Sequence, residues 1–287
     1  MPCVPAVRTP TEHIALVRET GAALVVIDSY VLSPAVYSAV RATGTPVLAV
    51  VDGDLGGRQA DIYLDQNIGA ETLAPVIPSD SVRLAGLDYT LLRDEILAAR
   101  PDRPPTREDQ EPTEIFAFFG GTDAYGAAPA IAGILAETGE HFSATVVAGS
   151  PERAEAISAV PLSDGQSIEI IEPTTRLVEH VTRAAVVLSA AGTSTWELMC
   201  LGAATGLVCV VDNQYDSYRR MLGTGAVVGL GRLNDLAINR STAVAATRRL
   251  MTDRKGRDQL RTAAWRLMDG QGRRRVADAA LGKIGIG

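Results

Sequence analysis

Four stretches of this sequence carry residues suited to binding phosphates, sugars or bases, and each follows an apolar, β-branched run. The first is Gly120-Gly121-Thr122-Asp123, set between a predicted strand and a predicted helix bearing Ile131, Ile134 and Leu135. A glycine turn at a helix start leaves backbone N–H groups where a phosphate can approach without obstruction by Cβ atoms. The same turn also serves as a plain reversal of the chain. The second runs from Ser189 through Ala190-Ala191-Gly192-Thr193-Ser194-Thr195-Trp196 to Glu197. Its small residues permit close backbone approach, its hydroxyls and helix-start amides suit phosphate oxygens, and Glu197 can accept both hydroxyls of a ribose. Without a ligand, Glu197 would serve as a capping partner for the helix start. The third, Asp212-Asn213-Gln214-Tyr215, ends a strand in paired amides that can bond sugar, phosphate or base, or cap the next helix. The fourth, Ile27-Asp28-Ser29-Tyr30, places Asp28 and Tyr30 at the carboxyl end of an early strand, where a phenol bonded to backbone is the structural alternative.

Composition removes several other chemistries. Lys255 and Lys283 are the only lysines of the 287 residues and neither follows a GxxxxG loop, which excludes a P-loop NTPase and leaves no Schiff-base candidate. Cys3, Cys200 and Cys209 show no CxxC spacing, and the site loops carry no Asp/His cluster, so no disulfide scaffold, metal or cofactor is expected. A net charge of −7 opposes general nucleic-acid binding. Eleven of the 27 basic residues fall between Arg248 and Lys283, where Leu260, Ala264, Leu267 and Met268 give an apolar helical face and leave the charges on its wet side. The longest apolar run, 202–211, is too short to span a bilayer and nothing resembles a secretory signal, so a cytoplasmic protein is expected.

Strand-like runs alternate with helical periods, the pattern of parallel strands joined by helices. Strands are expected over 23–27, 47–51 and 61–65, with helices over 11–20 and 33–43, the latter begun by Ser33-Pro34. Three strands make a thin first domain. The segment from Pro101 to Pro112 has four prolines and many charges and reads as a linker. Beyond it, strands over 115–119, 145–148, 168–171, 186–189, 207–211 and 227–230 describe a complete doubly wound sheet, closed by helices near 234–251, 255–269 and 272–281. Loops at the carboxyl ends of such strands converge on one ligand crevice.

These motifs occur in a recognisable series: Asp28-Ser29-Tyr30, Val51-Asp52-Gly53-Asp54-Leu55 with Arg58, Asp65-Gln66-Asn67, Gly86 through Arg93, the 120–123 turn, the 190–197 loop, Asn213-Gln214, and Asp269-Gly270-Gln271-Gly272 with Arg275-Val276-Ala277. Over roughly residues 10 to 282 the chain resembles the UDP-2,4-diacetamido-2,4,6-trideoxy-β-L-altropyranose hydrolases of pseudaminic acid synthesis and related spore-coat glycosyltransferase-like proteins. The resemblance implies an α/β, GT-B-like fold of two Rossmann-like domains, here 1–100 as a partial N-terminal domain, 101–113 as linker and 114–287 as the UDP-binding domain. It implies a UDP-sugar as partner, with water cleaving the anomeric C–O bond, and no metal. By motif, Tyr30 and Asn213 would contact the reacting sugar region, and Asp28 or Asp54 would substitute for the family's histidine as base. Gly120, Gly121, Thr122, Asp123, Ser189, Gly192, Thr193, Glu197 and Gln214 would hold the nucleotide and diphosphate. Two alternatives share that donor site, a glycosyltransferase and a UDP-sugar-binding protein without turnover.

The family opens with a GxGHxxR motif and often has Asp-His-Tyr where this chain has Asp28-Ser29-Tyr30. Neither histidine is present, and His13, His141 and His180 occupy ordinary helix or loop contexts. The expectation is that about 60 to 70 residues, two βα units, are missing ahead of Met1, with feeble hydrolysis as the consequence.

Overall fold

The computed structural model describes residues 7–108 and 112–285. They divide into two compact units: the described residues up to Leu91 together with those from Gln271 onward, and Leu92–Gly270. The first contains α1 (Pro10–Thr20), β1 (Val25–Asp28), α2 (Pro34–Arg41), β2 (Val47–Val50), β3 (Ile62–Asp65) and β4 (Val82–Ala85). The second contains α3 (Asp94–Ala99), β5 (Thr113–Phe118), α4 (Ala127–Glu137), β6 (Phe142–Val147), α5 (Pro151–Ser158), β7 (Gln166–Ile171) and α6 (Leu177–Arg183). It continues with β8 (Val186–Ala190), α7 (Ser194–Cys200), β9 (Thr205–Cys209), α8 (Tyr215–Gly223), β10 (Val227–Arg232), α9 (Arg240–Thr252) and α10 (Arg254–Leu267), after which α11 (Gly272–Lys283) rejoins the first unit.

Local chemistry fixes the helix starts. Ser33 accepts a hydrogen bond from the Ala35 N–H with Pro34 in the first turn, as the sequence predicts, and Thr9 with Glu12 forms a reciprocal capping box on α1. The first sheet is parallel throughout, in the order β1-β2-β3-β4. Alternation along β2 splits its two faces: Val47, Ala49 and Val51 pack with Val17, Val36 and Val40, while Leu48 packs with Leu64, Leu84 and Val276 of α11.

The sheet has four strands where the sequence suggests three. β4 pairs with β3 in the register Ile62↔Val82. Its four residues hold a single fully buried side chain, Leu84, and the charged Arg83 donates to the carbonyls of Ala70 and Leu73, so the apolar signal is faint.

The division read from sequence differs from this packing at both of its later boundaries. The proline-rich segment forms no helix or strand among its described residues, yet it adheres to the second unit. Arg100 lies 4.3 Å over the Trp265 ring and donates to the Trp265 and Met268 carbonyls, and Arg107 donates to Ala184 and Val181 at the end of α6. Residues 109–111 of that segment lie outside the described residues. At the far end, α11 packs on β3 and on the turn at 87–89 because Val276 completes the first unit's apolar face.

The second sheet is also parallel, ordered β10-β9-β8-β5-β6-β7. From β5 the chain winds outward through β6 and β7, returns to the other side of β5 as β8, and winds outward again. Its core joins Ile115, Ala117, Phe142, Val146, Val186 and Leu188 of the strands to Ile131, Ile134 and Leu135 of α4 and to Leu250 and Met251 of α9. Among the described residues no helix is long and apolar enough to cross a membrane, and Cys200 and Cys209 are buried and unpaired. Cys3 lies outside the described residues.

Candidate functional site

The strand order of the second unit reverses between β5 and β8, and the loops leaving these two strands diverge there, which opens a crevice at the carboxyl edge of the sheet. A cleft of about 200 Å³ occupies this place. Gly120 and Gly121 line it after β5, Ser194 and Glu197 line it after β8, Arg93 closes one side, and Phe116, Phe118, Val147 and Leu177 give it an apolar floor. Two motifs 70 residues apart in sequence thus face one space.

The turn after β5 is held from below. A Cβ on Gly149 would stand 2.0 Å from the backbone C and O of Thr122, so the 120–123 turn rests directly on the backbone that follows β6. Gly120 and Gly121 are exposed, and a Cβ on either would meet nothing within 4 Å. Asp123 departs from its expected role. It is buried, sits at a left-handed φ of 41°, and accepts hydrogen bonds from the Ala127 N–H at 2.8 Å and the Ala128 N–H at 3.0 Å. The carboxylate therefore occupies the amides at the start of α4 that a phosphate would need. Burial raises the Asp123 carboxyl above its ordinary range, and those N–H donors oppose the rise.

Glu197 is the fourth residue of α7 and half-buried, and it does not cap the helix. Arg93 grips it with a two-pronged contact, Nε to Oε1 at 2.7 Å and Nη2 to Oε2 at 3.0 Å, while Nη1 of Arg93 lies 2.6 Å from Glu95. The Arg93 side chain is 51% exposed against 15% for Glu197, so the pair stands at the mouth of the cleft with its acidic member inward. The hydrogen bond to Glu197 raises the Arg93 guanidinium further above its already high value.

The remaining predicted residues of this unit cluster less tightly. Gly192 and Gln214 are neighbours: a Cβ on Gly192 would lie 3.6 Å from Gln214 Nε2. Gln214 Oε1 accepts from the Val210 N–H at 3.1 Å, which fixes the amide so that its NH2 group faces the small-residue loop. Thr122, Thr193 and Asn213 are exposed. Ser189 is 1% exposed inside β8 and belongs to the sheet rather than to the loop. In a larger cavity of about 330 Å³ between β10, α9 and α10, Arg257 donates to the Leu250 and Met251 carbonyls and Asp253 accepts from the Gly256 N–H at the start of α10.

In the first unit, Asp28 ends β1 and Tyr30 follows in the next turn, and both line a cleft of about 220 Å³ with Asp52, Asp54 and Arg58. The Tyr30 hydroxyl reaches Asp52 Oδ2 at 3.5 Å, and Asn67 Nδ2 donates to Asp52 at 2.8 Å and to Asp65 at 3.0 Å. The charge of Asp52, with some burial, pushes the Tyr30 phenol above its usual value. Tyr30 is therefore a hydrogen-bond donor at neutral pH and not a base. The histidines have structural surroundings: His13 Nδ1 bonds the Thr9 carbonyl at 2.8 Å, the His141 ring covers Gly165, and His180 stacks on Phe116 at 4.8 Å. Burial holds the His180 imidazole below its ordinary value. Among the described residues no group of three or more His, Cys, Asp and Glu is placed to hold a metal ion.

Solved structures share this architecture. MurG from Acinetobacter baumannii has a TM-score of 0.67 at 14% identity, covering 95% of this chain and 77% of its own. The fold is GT-B-like. A glycosyltransferase from Rickettsia africae matches at a TM-score of 0.63 with 11% identity, over 99% of this chain and 84% of that one. The UDP-GlcNAc 2-epimerase of Neisseria meningitidis, solved bound to UDP-GlcNAc, matches at 0.58 with 15% identity, over 95% and 81%. No family model matches the sequence, and no curated protein is similar enough in sequence to count as a relative.

Sequence reasoning missed Arg93 as a site residue, although it closes the Gly86–Arg93 stretch of the motif series. Its partner is 104 residues away, and a lone arginine before a short helix carries no local sign of that pairing.

Proposed function

We propose that the chain is an enzyme acting on a UDP-sugar, with the nucleotide and diphosphate held by the second unit at the crevice between β5 and β8. The observation that carries this reading is the convergence of the Gly120-Gly121 turn and the Ser194–Glu197 segment on one cleft at the point where strand order reverses. Glu197 takes the ribose hydroxyls, Gly121 and Thr122 approach the phosphates, Gly192 and Thr193 border them, and the Gln214 amide donates across Gly192. Neighbours of the same fold whose names record a UDP-sugar or glycosyl transfer support the choice of ligand.

The reaction we assign is hydrolysis of a UDP-linked deoxy-diacetamido sugar. Water attacks the anomeric carbon, the C–O bond to the diphosphate breaks with its electron pair leaving on UDP, and the proton of the water passes to a base. In the first unit Asp28 is the candidate base and the protonated Tyr30 a candidate donor to the sugar; in the second unit Asn213 is the candidate sugar contact. The motif series favours this hydrolytic reading. A transferase, in which an acceptor hydroxyl replaces water, is favoured by the glycosyltransferase among the structural neighbours.

Two experiments test the proposal. Calorimetric titration with UDP of the parent and Glu197→Ala checks the ribose role, with an expected loss of about 1.5–3 kcal/mol, the range for hydrogen bonds to a charged group. Equal affinities would refute it. Incubation with UDP-sugars, with and without an acceptor, separates free-sugar release from transfer; binding with no product in either arm would make the chain a nucleotide-sugar-binding protein.

A further inference from the structure

A diphosphate needs positive charge, and the crevice between β5 and β8 offers little of it in the open. The first amides of α4 are taken by Asp123. Among the described residues lining the cleft, Arg93 is the only cation, and two nitrogens of its guanidinium, Nε and Nη2, are directed at Glu197 while Nη1 faces Glu95. Glu197 is itself the residue assigned to the ribose, so in the free protein a fork of arginine donors covers both oxygens that the hydroxyls would reach. A guanidinium fork fits a phosphate as well as it fits a carboxylate. The Arg93 side chain is 51% exposed, so its guanidinium can stay hydrated as it leaves Glu197 and turn to a new anionic partner. A nucleoside diphosphate brings both replacements at once, hydroxyls for the carboxylate and phosphate oxygens for the guanidinium.

We propose that Arg93 is an exchange ligand of this site: entry of a nucleoside diphosphate moves its guanidinium from Glu197 to the phosphates and frees the Glu197 carboxylate for the ribose. The exchange rests on the nucleotide reading given above and adds to it a residue and a selectivity. The site would favour diphosphates over nucleosides because the nucleoside alone must separate the ion pair without offering Arg93 a new partner. It would also offset the charge of Glu197 when the site is empty, since a bare Glu197 would repel the incoming phosphates.

Calorimetric titration of the parent, Arg93→Ala and Arg93→Lys with uridine, UDP and inorganic pyrophosphate tests the exchange. The expected result for Arg93→Ala is a loss of about ten- to hundredfold for UDP and pyrophosphate, the equivalent of a lost charge-assisted bond. Uridine affinity stays level or rises, because Glu197 is no longer covered. Arg93→Lys recovers part of the UDP affinity through charge alone, and thermal melting of each variant verifies that it is folded. An equal loss for uridine and UDP would mean that Arg93 only aligns Glu197, and unchanged UDP and pyrophosphate affinities would mean that it never meets phosphate; either overturns the exchange while leaving a UDP site in place. Pyrophosphate binding that depends on Arg93, with UDP bound no tighter than pyrophosphate, would uphold the phosphate role of Arg93 and remove the nucleoside part of the reading. Failure of the parent to bind any of the three probes would overturn both.

Discussion

Gly121→Ala separates the space a ligand occupies from the space the protein needs. In the free protein an added Cβ at this position meets nothing within 4 Å, and Gly121 does not adopt a left-handed φ, unlike Gly120 at +83°. The substitution is therefore compatible with the native backbone and is expected to stabilise the fold by about 0.4–1 kcal/mol through the unfolded chain, raising the melting midpoint by roughly 1–4 °C. If phosphate oxygens rest against this turn, the same methyl intrudes on them. Forced overpacking costs about 1–3 kcal/mol, which is roughly 5- to 150-fold in UDP dissociation constant. Calorimetry and differential scanning fluorimetry on one preparation give both numbers. Gly149→Ala is the contrasting control: its Cβ would lie 2.0 Å from Thr122 backbone atoms, so the turn must shift, and stability and UDP binding are both lost. A Gly121→Ala protein that melts higher yet binds UDP as tightly as the parent would refute the placement of the phosphates at this turn.

Two further outcomes follow from buried groups. Asp123→Ala removes the acceptor of two α4 amides and puts alanine at a left-handed φ, so a loss of about 1–3 kcal/mol in urea unfolding is expected, while Asp123→Asn, which tolerates that φ and retains an acceptor, loses less. Burial pushes the Cys200 thiol up to about 11, so the native state keeps a proton that the unfolded chain releases near 9, and stability falls as pH rises from about 9 to 11. Unfolding curves over that range, compared with Cys200→Ala, read this slope, and peptide mapping after alkylation at pH 8 is expected to find Cys200 unmodified in the native protein.

Much of the second unit was legible in the sequence because its strands carry apolar, β-branched residues flanked by helical periods, least clearly in β7 with Ser167 and Glu169, and glycines mark where several of the strands end. The first unit was less so. β4 is short, has one buried side chain and carries Arg83, and nothing local distinguishes it from a loop. The partner of α11 was invisible for a different reason: Val276 has the same helical periodicity whichever sheet it covers, and only tertiary packing selects Leu48, Leu64 and Leu84. The prolines of 101–112 do exclude regular structure where the chain is described, but they say nothing of adhesion, which comes from Arg100 over Trp265 and Arg107 at the end of α6. At the site, the loop residues could be named from spacing alone. The occupation of the α4 amides by Asp123 and of Glu197 by Arg93 could not, since both depend on which group reaches an available partner first in three dimensions.

Binding of a uridine nucleotide where the strand order of the second unit reverses can be observed residue by residue. Amide chemical shifts of isotope-labelled protein titrated with UDP test it most directly. Saturable shifts are expected at Gly120, Gly121, Gly192, Thr193 and Glu197, with the side-chain amide of Gln214 moving in step. Shifts that saturate elsewhere while these six positions stay still would contradict it.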